Sequence, residues 1–256
     1  MILKPLDFLI TYLVGERNEK LEIENLSEEE KKRLFRSLCN IREPKEISQE
    51  FLNIQDMYLQ EEIQEKGIAE NIEESRITDN IYLWKGDITT LKIDAIVNAA
   101  NSQGLGCFIP CHKCIDNSIH SYSGIQLRLE CYEKMKEIKQ LETGKVFMTK
   151  GYNLLAKYII HTVGPIIYEE VTDKEREELK NCYIHSLQLA KENNIKEIAF
   201  PCISTGEFRF PKEEACQIAI KAVKEYLAKN ENWFKKVVFN VFTEENDRIY
   251  GQNILI

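Results

Sequence analysis

The amino-acid sequence predicts a three-layer α/β domain that follows a helical extension at the N-terminus. From Asn80 onward, short β-rich runs alternate with segments of helical periodicity, the pattern of a sheet covered by helices on both faces. Before that point the chain is rich in Glu, Lys and Leu and shows no strand-like alternation. Its 256 residues, 43% of them hydrophobic, are enough to bury a substantial core. We therefore predict a helical extension over residues 1–70 and the α/β domain over residues 71–256.

Capping signals place two helices in the extension. Ser27 followed by Glu30 forms a capping box, which opens a helix that Pro44 ends. A second helix is predicted over residues 48–66, with Gly67 as its C-cap. Because these segments carry no recognisable chemistry, we expect them to form a layer packed on the rest of the protein or on a partner.

Strands and helices are predicted in alternation through the α/β domain. The β-rich runs lie at residues 81–84, 93–97, 146–149, 158–162, 198–202 and 237–242. Helices are predicted between them at about 117–141, 172–192 and 211–229. Thr172 with Glu175 is a second capping box, and Pro211 suits the first position of the third helix. The last predicted element is the strand at 237–242.

Composition argues against several classes of partner and favours a cytoplasmic protein. The formal net charge of −8 leaves no basic footprint for duplex nucleic acid or an anionic membrane. The chain has no run of about 18 or more apolar residues, so no transmembrane helix is expected. Its N-terminal apolar run is broken by Asp7 and Thr11 and lacks a cleavage site, which predicts a short helix. In the reducing cytosol, clustered cysteines more often bind metal or catalyse than form disulfides.

Cysteines and a histidine cluster in the stretch 98–120, which reads NAANSQGLGCFIPCHKCIDNSIH. Thiols and imidazoles so close together are soft ligands for zinc or iron. The spacing Cys107-x3-Cys111-x2-Cys114 is that of a radical-SAM iron–sulfur motif. Alternatively, Cys111 could complete a closed structural zinc site together with His112. The residues alone leave these alternatives open.

Three loops follow predicted strands, at residues 86–88, 98–114 and 204–208. Ligands of such folds bind outside the carboxyl ends of the strands, so we expect the three loops to converge on one site. The third loop combines hydroxylated residues, a glycine and a following helix, the ingredients of a phosphate cradle built from backbone donors. Taken by itself, Ser-Thr-Gly equally suits an ordinary turn.

The chain resembles the macrodomain family of ADP-ribose-binding and ADP-ribose-hydrolysing proteins from about Tyr82 onward. Four ordered motifs carry the resemblance: GDIT at 86–89, DAIVNAAN at 94–101, IHTVGP at 160–165 and PCISTGEF at 201–208. The segment GCFIPCHKCIDNSIH resembles the insertion by which zinc-dependent microbial macrodomains replace the glycine-rich loop of MacroD-type hydrolases. The resemblance implies a three-layer α/β/α macrodomain with a mixed central sheet.

The resemblance also implies which residues bind the ligand. Asp87 and the backbone of Ile88 would hold the adenine, and Asn101 would bind and act at the distal ribose. The diphosphate would be wrapped by Ser204, Thr205, Gly206, Glu207 and Phe208. MacroD-type proteins have a second glycine in this loop where the chain has Arg209, which restricts the backbone but could add a charged contact.

A metal site and a catalytic carboxylate are implied in the same way. Cys107, His112 and Cys114 match the family's Cys-x4-His-x-Cys pattern and would hold one Zn²⁺ per chain. Three ligands leave tetrahedral zinc one open position, the mark of a catalytic site. Asp116 falls where MacroD-type hydrolases place the acidic residue near the scissile bond, as general base or as the group that positions the nucleophile. Without the resemblance, Asp116 would be read as a helix N-cap.

These resemblances together predict a zinc-dependent hydrolase that removes mono-ADP-ribose from proteins, most plausibly from acidic side chains. They further suggest that a sirtuin-type transferase modifies a lipoyl-carrier protein similar to glycine-cleavage H protein, and that this enzyme reverses the modification. The main alternative is a module that recognises ADP-ribose without cleaving it.

Overall fold

The protein's structure, a computed structural model, describes residues 4–255. Positions 1–3 of the predicted extension and position 256 of the predicted domain therefore lie outside the described residues. The extension forms three helices: α1 (Pro5–Gly15), α2 (Glu28–Ile41) and α3 (Gln49–Lys66). The backbone N–H of Glu30 donates to Ser27 Oγ at 3.3 Å, and Gly67 adopts a positive φ of 87° after α3. Both predicted caps are confirmed.

Six strands form the central sheet. They are β1 (Ile81–Lys85), β2 (Ala95–Ala99), β3 (Val146–Lys150), β4 (Tyr158–Thr162), β5 (Glu197–Phe200) and β6 (Lys236–Val241). Their order is β1-β6-β5-β2-β4-β3, and every pairing is parallel except the antiparallel pair β3 and β4. The predicted mixed sheet is confirmed, with each predicted strand present within two residues of its bounds.

Helices cover both faces of this sheet. They are α4 (Ile115–Ser123), α5 (Ile125–Ile138), α6 (Asp173–Glu192), α7 (Lys212–Lys229) and α8 (Glu244–Asn253). Because side chains of a strand alternate between faces, Ala95 and Val97 join one core cluster with α6, α7 and α8, whereas Ile96 joins another with α4 and α5. The predicted three-layer α/β/α arrangement is confirmed.

The helices of this domain differ from the predictions in three details. The single helix expected over residues 117–141 is divided into α4 and α5 at Gly124, whose φ is 98°. This positive φ favours glycine, and a Cβ there would also lie 2.5 Å from Gln126 Oε1 and 2.7 Å from Gln55 Nε2 of α3. Helix α8 was not expected; its N-cap, Thr243, accepts a hydrogen bond from the backbone of Asn246. Pro211 lies just before α7 rather than within its first turn.

The extension packs against the α/β domain as well as within itself. Leu9, Phe35 and Phe51 form a separate cluster with Ile125 of α5, and Ile63 of α3 joins the core beneath the sheet. The division near residue 70 stays a prediction. Two 3₁₀ turns, Glu73–Ser75 and Ile88–Thr90, follow α3 and β1. Over residues 4–255, no helix has the length and apolarity that a bilayer crossing demands.

Candidate active site

A cleft of about 450 Å³ opens at the carboxyl ends of the parallel strands. Two of the three loops that were expected to converge line it. The loop after β2 and the start of α4 contribute Asn101, Cys107, His112, Cys114 and Asp116. The loop after β5 contributes the five residues Ser204, Thr205, Gly206, Glu207 and Phe208. The two loops meet where His112 Nε2 lies 3.7 Å from Glu207 Oε1.

The third loop lies beside this cleft rather than in its lining. The Asp87 carboxylate accepts hydrogen bonds from Lys66 Nζ at 2.7 Å and from the backbone N–H of Thr89 at 3.0 Å. Burial acts to raise the pKa of Asp87, but the hydrogen bonds and charge of Lys66 and the hydrogen bonds of Thr89 outweigh it and leave the pKa lowered. Ile88 is buried in the core. Their role at the adenine stays a prediction.

Asp116 is a buried carboxyl group on the cleft wall. Its side chain sits in the first turn of α4, and the N-cap is Cys114, whose Sγ accepts from the backbone N–H of Asn117 at 3.4 Å. The alternative reading of Asp116 as the N-cap is therefore wrong. Asn98 Nδ2 donates to Asp116 Oδ1 at 2.7 Å. Burial raises the pKa of Asp116 to about 6, against the opposing effects of Asn98 and the Arg128 charge.

A buried polar network beneath Asp116 fixes its orientation. The Asn98 amide that donates to Asp116 also lies 3.2 Å from His161 Nδ1, so this nitrogen accepts and Nε2 carries the proton shared with Thr149 Oγ1 at 2.9 Å. Burial lowers the pKa of His161 to about 3, which keeps the ring neutral. His161 is thus a buried histidine with both ring nitrogens hydrogen-bonded. Asn98 was missed, although an asparagine inside a buried apolar strand is itself a signal.

Next to this network, His120 is almost fully buried and faces the same carboxyl group. Its Nε2 lies 3.6 Å from Asp116 Oδ1, and neither ring nitrogen has a hydrogen-bond partner among residues 4–255. Burial, the Arg128 charge and His161 hold the pKa of His120 well below its usual value. A neutral imidazole in this position packs against the site without adding charge to it, as a supporting residue would.

Three soft donors converge at one end of the cleft. The ligand atoms of Cys107, His112 and Cys114 all lie within 4.8 Å of one another, and Cys107 Sγ is 3.7 Å from His112 Nδ1. Cys111 is directed elsewhere: its φ is 51°, and its Sγ lies 3.3 Å from the carbonyl oxygen of Arg33 in α2. This arrangement matches neither the three-thiol iron–sulfur motif nor a closed zinc site with Cys111. Two thiols and one imidazole are a donor set that fits Zn²⁺.

The loop after β5 has the backbone geometry of a small cradle. Ser204 and Arg209 both adopt left-handed conformations, with φ of 65° and 58°. Ser204 Oγ is buried and has no hydrogen-bond partner among the described residues. A Cβ at Gly164 would lie 2.0 Å from this oxygen, so the loop requires a glycine after β4. Arg209 therefore holds a strained backbone conformation that a glycine would adopt freely.

The two aromatic residues that follow β6 lie in different environments. Tyr250 is buried and packs 5.4 Å from the Phe239 ring. Phe242 instead is 74% exposed and lines the cleft. An exposed ring at a concave site is available for stacking on a planar ligand.

Comparison with known proteins places this geometry in a family. The Macro domain family matches residues 97–219. A protein-ADP-ribose hydrolase from Treponema medium is 48% identical over 251 residues, which cover 96% of each chain. A mutant of the Oceanobacillus iheyensis macrodomain, solved with ADPR, has a TM-score of 0.64 and 36% identity, covering 70% of this chain and 95% of that one. The Trypanosoma brucei macrodomain in complex with ADP-ribose has a TM-score of 0.64 and 27% identity, covering 84% and 94%.

The fold and the cleft define an α/β ligand-binding domain whose site lies at the carboxyl ends of its parallel strands. With 48% identity to the Treponema protein over nearly its whole length, the chain belongs to the macrodomain family.

Proposed function

We propose that this protein is a hydrolase that removes mono-ADP-ribose from ADP-ribosylated proteins. The observation that carries the proposal is the placement of one buried carboxyl group, Asp116, in the same cleft as a loop whose Ser204 hydroxyl is buried without a partner. The relatives named as protein-ADP-ribose hydrolases support the same activity. A cleft of about 450 Å³ also falls within the ordinary range for small-molecule sites.

The loop of residues 204–208 is the proposed diphosphate site. Backbone N–H groups in a loop that contains left-handed residues form a concave anion site that needs no lysine or arginine. Ser204 Oγ would donate to a phosphate oxygen and so gain the partner it lacks. At the far end of the cleft, Phe242 would stack on the adenine while Asp87 and Ile88 hold its edge. The Asn240 Nδ2 bond to the carbonyl oxygen of Gly86, at 2.9 Å, links their loop to the cleft wall.

At the ribose end, Asn101 and Asp116 are the proposed catalytic pair. Asn101 Nδ2 lies 3.5 Å from Asp116 Oδ2, so a ribose bound by Asn101 would be next to the carboxyl group. Asp116 would take a proton from a water whose oxygen forms the new bond to C1″, while the bond from C1″ to the acyl oxygen of the modified side chain breaks. The acyl group then leaves as a carboxylate. An ester-linked Asp or Glu side chain suits this step because its leaving group is stable.

Cys107, His112 and Cys114 would hold one Zn²⁺ at the edge of the same cleft. Bound there, the ion would supply a Lewis acid beside the ribose, and removing it should therefore slow hydrolysis. The cytoplasmic location and the lipoyl-carrier substrate, with its sirtuin-type transferase, stay predictions of the sequence. The contacts proposed for the cleft are all with the ADP-ribose group and none is with the protein that carries it.

The test is release of free ADP-ribose from a protein mono-ADP-ribosylated on Asp or Glu. We expect wild type to be active, Asp116→Ala to be slower by about 10²–10⁴-fold, and the exposed control Asp79→Ala to match wild type. Metal-stripped protein should lose activity and recover it with added Zn²⁺. Tight binding of the modified protein without any release would instead identify a reader module.

A further inference from the structure

We propose that Arg36 and Asn40 of α2 are positioning residues for the metal-ligand loop, residues 107–114. The helical extension would thereby set the affinity of the metal site. This inference rests on the proposed zinc site, but it concerns a different part of the chain. It gives the extension a function that its sequence did not suggest.

The metal-ligand loop has little structure of its own. Among the described residues, one backbone–backbone hydrogen bond joins two members of the loop, from His112 N–H to the carbonyl oxygen of Ile109 at 3.2 Å. None of its eight residues is fully buried. A loop with so few internal contacts would lose its ligand geometry readily unless other elements held it.

Arg36 holds the part of the loop that carries His112. Its Nη2 donates to the carbonyl oxygen of His112 at 3.0 Å and to Asn117 Oδ1 at 2.7 Å. Asn117 in turn donates through Nδ2 to the carbonyl oxygen of Ile109 at 2.9 Å. One guanidinium group therefore fixes the backbone of a ligand residue relative to the first turn of α4, next to Cys114. These charge-assisted bonds are stronger than neutral ones.

Asn40 holds the adjacent turn of the loop. It is 1% exposed, and its Oδ1 accepts from the backbone N–H of Cys111 at 2.9 Å. Its Nδ2 donates to Ser121 Oγ of α4 at 3.0 Å. Cys111 has a φ of 51°, a conformation that is strained for a non-glycine residue and persists only where its surroundings impose it. Because Cys111 directly precedes His112, the turn that Asn40 holds also aims the histidine.

Arg128 of α5 is hydrogen-bonded both to α2 and to the metal-ligand loop. Its guanidinium donates to the carbonyl oxygens of Cys39 and Asn40 in α2. It also donates to the carbonyl oxygen of Leu105, just before the metal-ligand loop, and to that of Cys107, the first residue of the loop. The end of α2 and the start of the loop therefore share one buried cation. Three side chains, those of Arg36, Asn40 and Arg128, therefore link the extension to the metal-ligand loop.

The experiment compares Arg36→Ala and Asn40→Ala with Arg33→Ala. Arg33 is an exposed residue one turn earlier in α2 whose side chain makes no hydrogen bond or ion pair with the described residues, so Arg33→Ala makes the same charge change as Arg36→Ala without removing a bond to the loop. Zinc affinity is measured by competition with a chromogenic chelator. Amide hydrogen exchange of residues 107–114 is measured on metal-free protein. Partners that orient metal ligands typically contribute 10–100-fold to affinity, and we expect losses of about that size for Arg36→Ala and Asn40→Ala.

The two readouts separate the possible results. Arg33→Ala should keep wild-type zinc affinity and exchange, and Arg36→Lys should recover part of the loss, since Lys can reach one of the two acceptors. Wild-type zinc affinity in Arg36→Ala and Asn40→Ala would overturn the inference and leave the zinc site standing. If wild type itself binds no zinc, the proposed metal site fails. In that case, faster exchange confined to residues 107–114 in Arg36→Ala would still support the positioning role, and unchanged exchange would overturn it.

Discussion

The two loops that form the cleft are held in place in different ways. In the loop after β5, the backbone N–H of Arg209 donates to Gly206 and that of Phe210 to Ser204, each at 2.9 Å, so the loop largely holds itself. The metal-ligand loop is held from outside, by Arg36, Asn40 and Arg128. Residues close in sequence can maintain one half of the site, whereas the other half depends on helices far away in the chain.

The largest expected effect comes from removing the cation that the metal-ligand loop shares with α2. Arg128→Met should lower the free energy of unfolding by about 3 kcal/mol or more, because it leaves several buried carbonyl oxygens without donors. Urea denaturation measures the change. Lys134→Met, on the same helix but with a 41% exposed side chain, should change it by about 0.5 kcal/mol or less. Equal effects of the two substitutions would contradict this interpretation.

The loop after β5 should instead be sensitive to a single methyl group. Gly164→Ala should destabilise the protein by about 1–3 kcal/mol and weaken ADP-ribose binding, since the new Cβ would lie 2.0 Å from Ser204 Oγ. Gly251→Ala in α8 is the matched control, because it is exposed and lies outside the cleft, a Cβ there would meet only Leu83 Cδ2 at 4.0 Å, and its backbone does not need a positive φ. Thermal unfolding and calorimetric titration with ADP-ribose report both quantities. Tolerance of alanine at position 164 would show that the loop shifts easily.

The stability of the protein should depend on pH through His161, which is buried beneath the loop after β2. Burial holds the pKa of His161 at about 3, against about 6.5 in the unfolded chain. Between these values only the unfolded state binds the proton, so stability falls as pH decreases below 6.5. His161 alone should remove about 2 kcal/mol between about pH 7.5 and pH 5. Urea denaturation at several pH values should give a shallower pH dependence for His161→Gln than for wild type; identical slopes would mean that His161 does not titrate this way.

The smallest expected effect concerns the strained arginine of the loop after β5. Arg209→Gly should change the free energy of unfolding by about 1 kcal/mol or less, because relief of the left-handed strain is offset by the greater freedom of glycine in the unfolded chain. ADP-ribose affinity is the more informative measurement. A severalfold loss would show that the Arg209 side chain contacts the diphosphate, whereas unchanged affinity would show that the backbone alone forms the cradle.

Features encoded locally were predictable from the sequence. Ser27 with Glu30 and Thr172 with Glu175 cap helices because each pair lies within one turn, so the interaction needs no other part of the chain. The strands were predictable because a short β-rich run, bounded by turn residues and lying between predicted helices, fits few structures other than a strand. The break between α4 and α5 was not predicted, because the positive φ of Gly124 and the approach of Gln55 from α3 exist only in the folded chain.

The candidate site likewise has features that were predictable from local sequence and features that depend on the tertiary structure. The sequence alone indicated that Cys107, His112 and Cys114 lie near one another, because they fall within eight positions. Only the tertiary structure directed Cys111 away toward the carbonyl oxygen of Arg33, and only it placed Asn98 and His161 beneath Asp116. Short-range spacing therefore determined which candidate metal donors lie near one another, and it left open which of them share one site. The folded packing of distant segments decided which atoms face the cleft, because burial and hydrogen-bond partners exist only once the chain is folded.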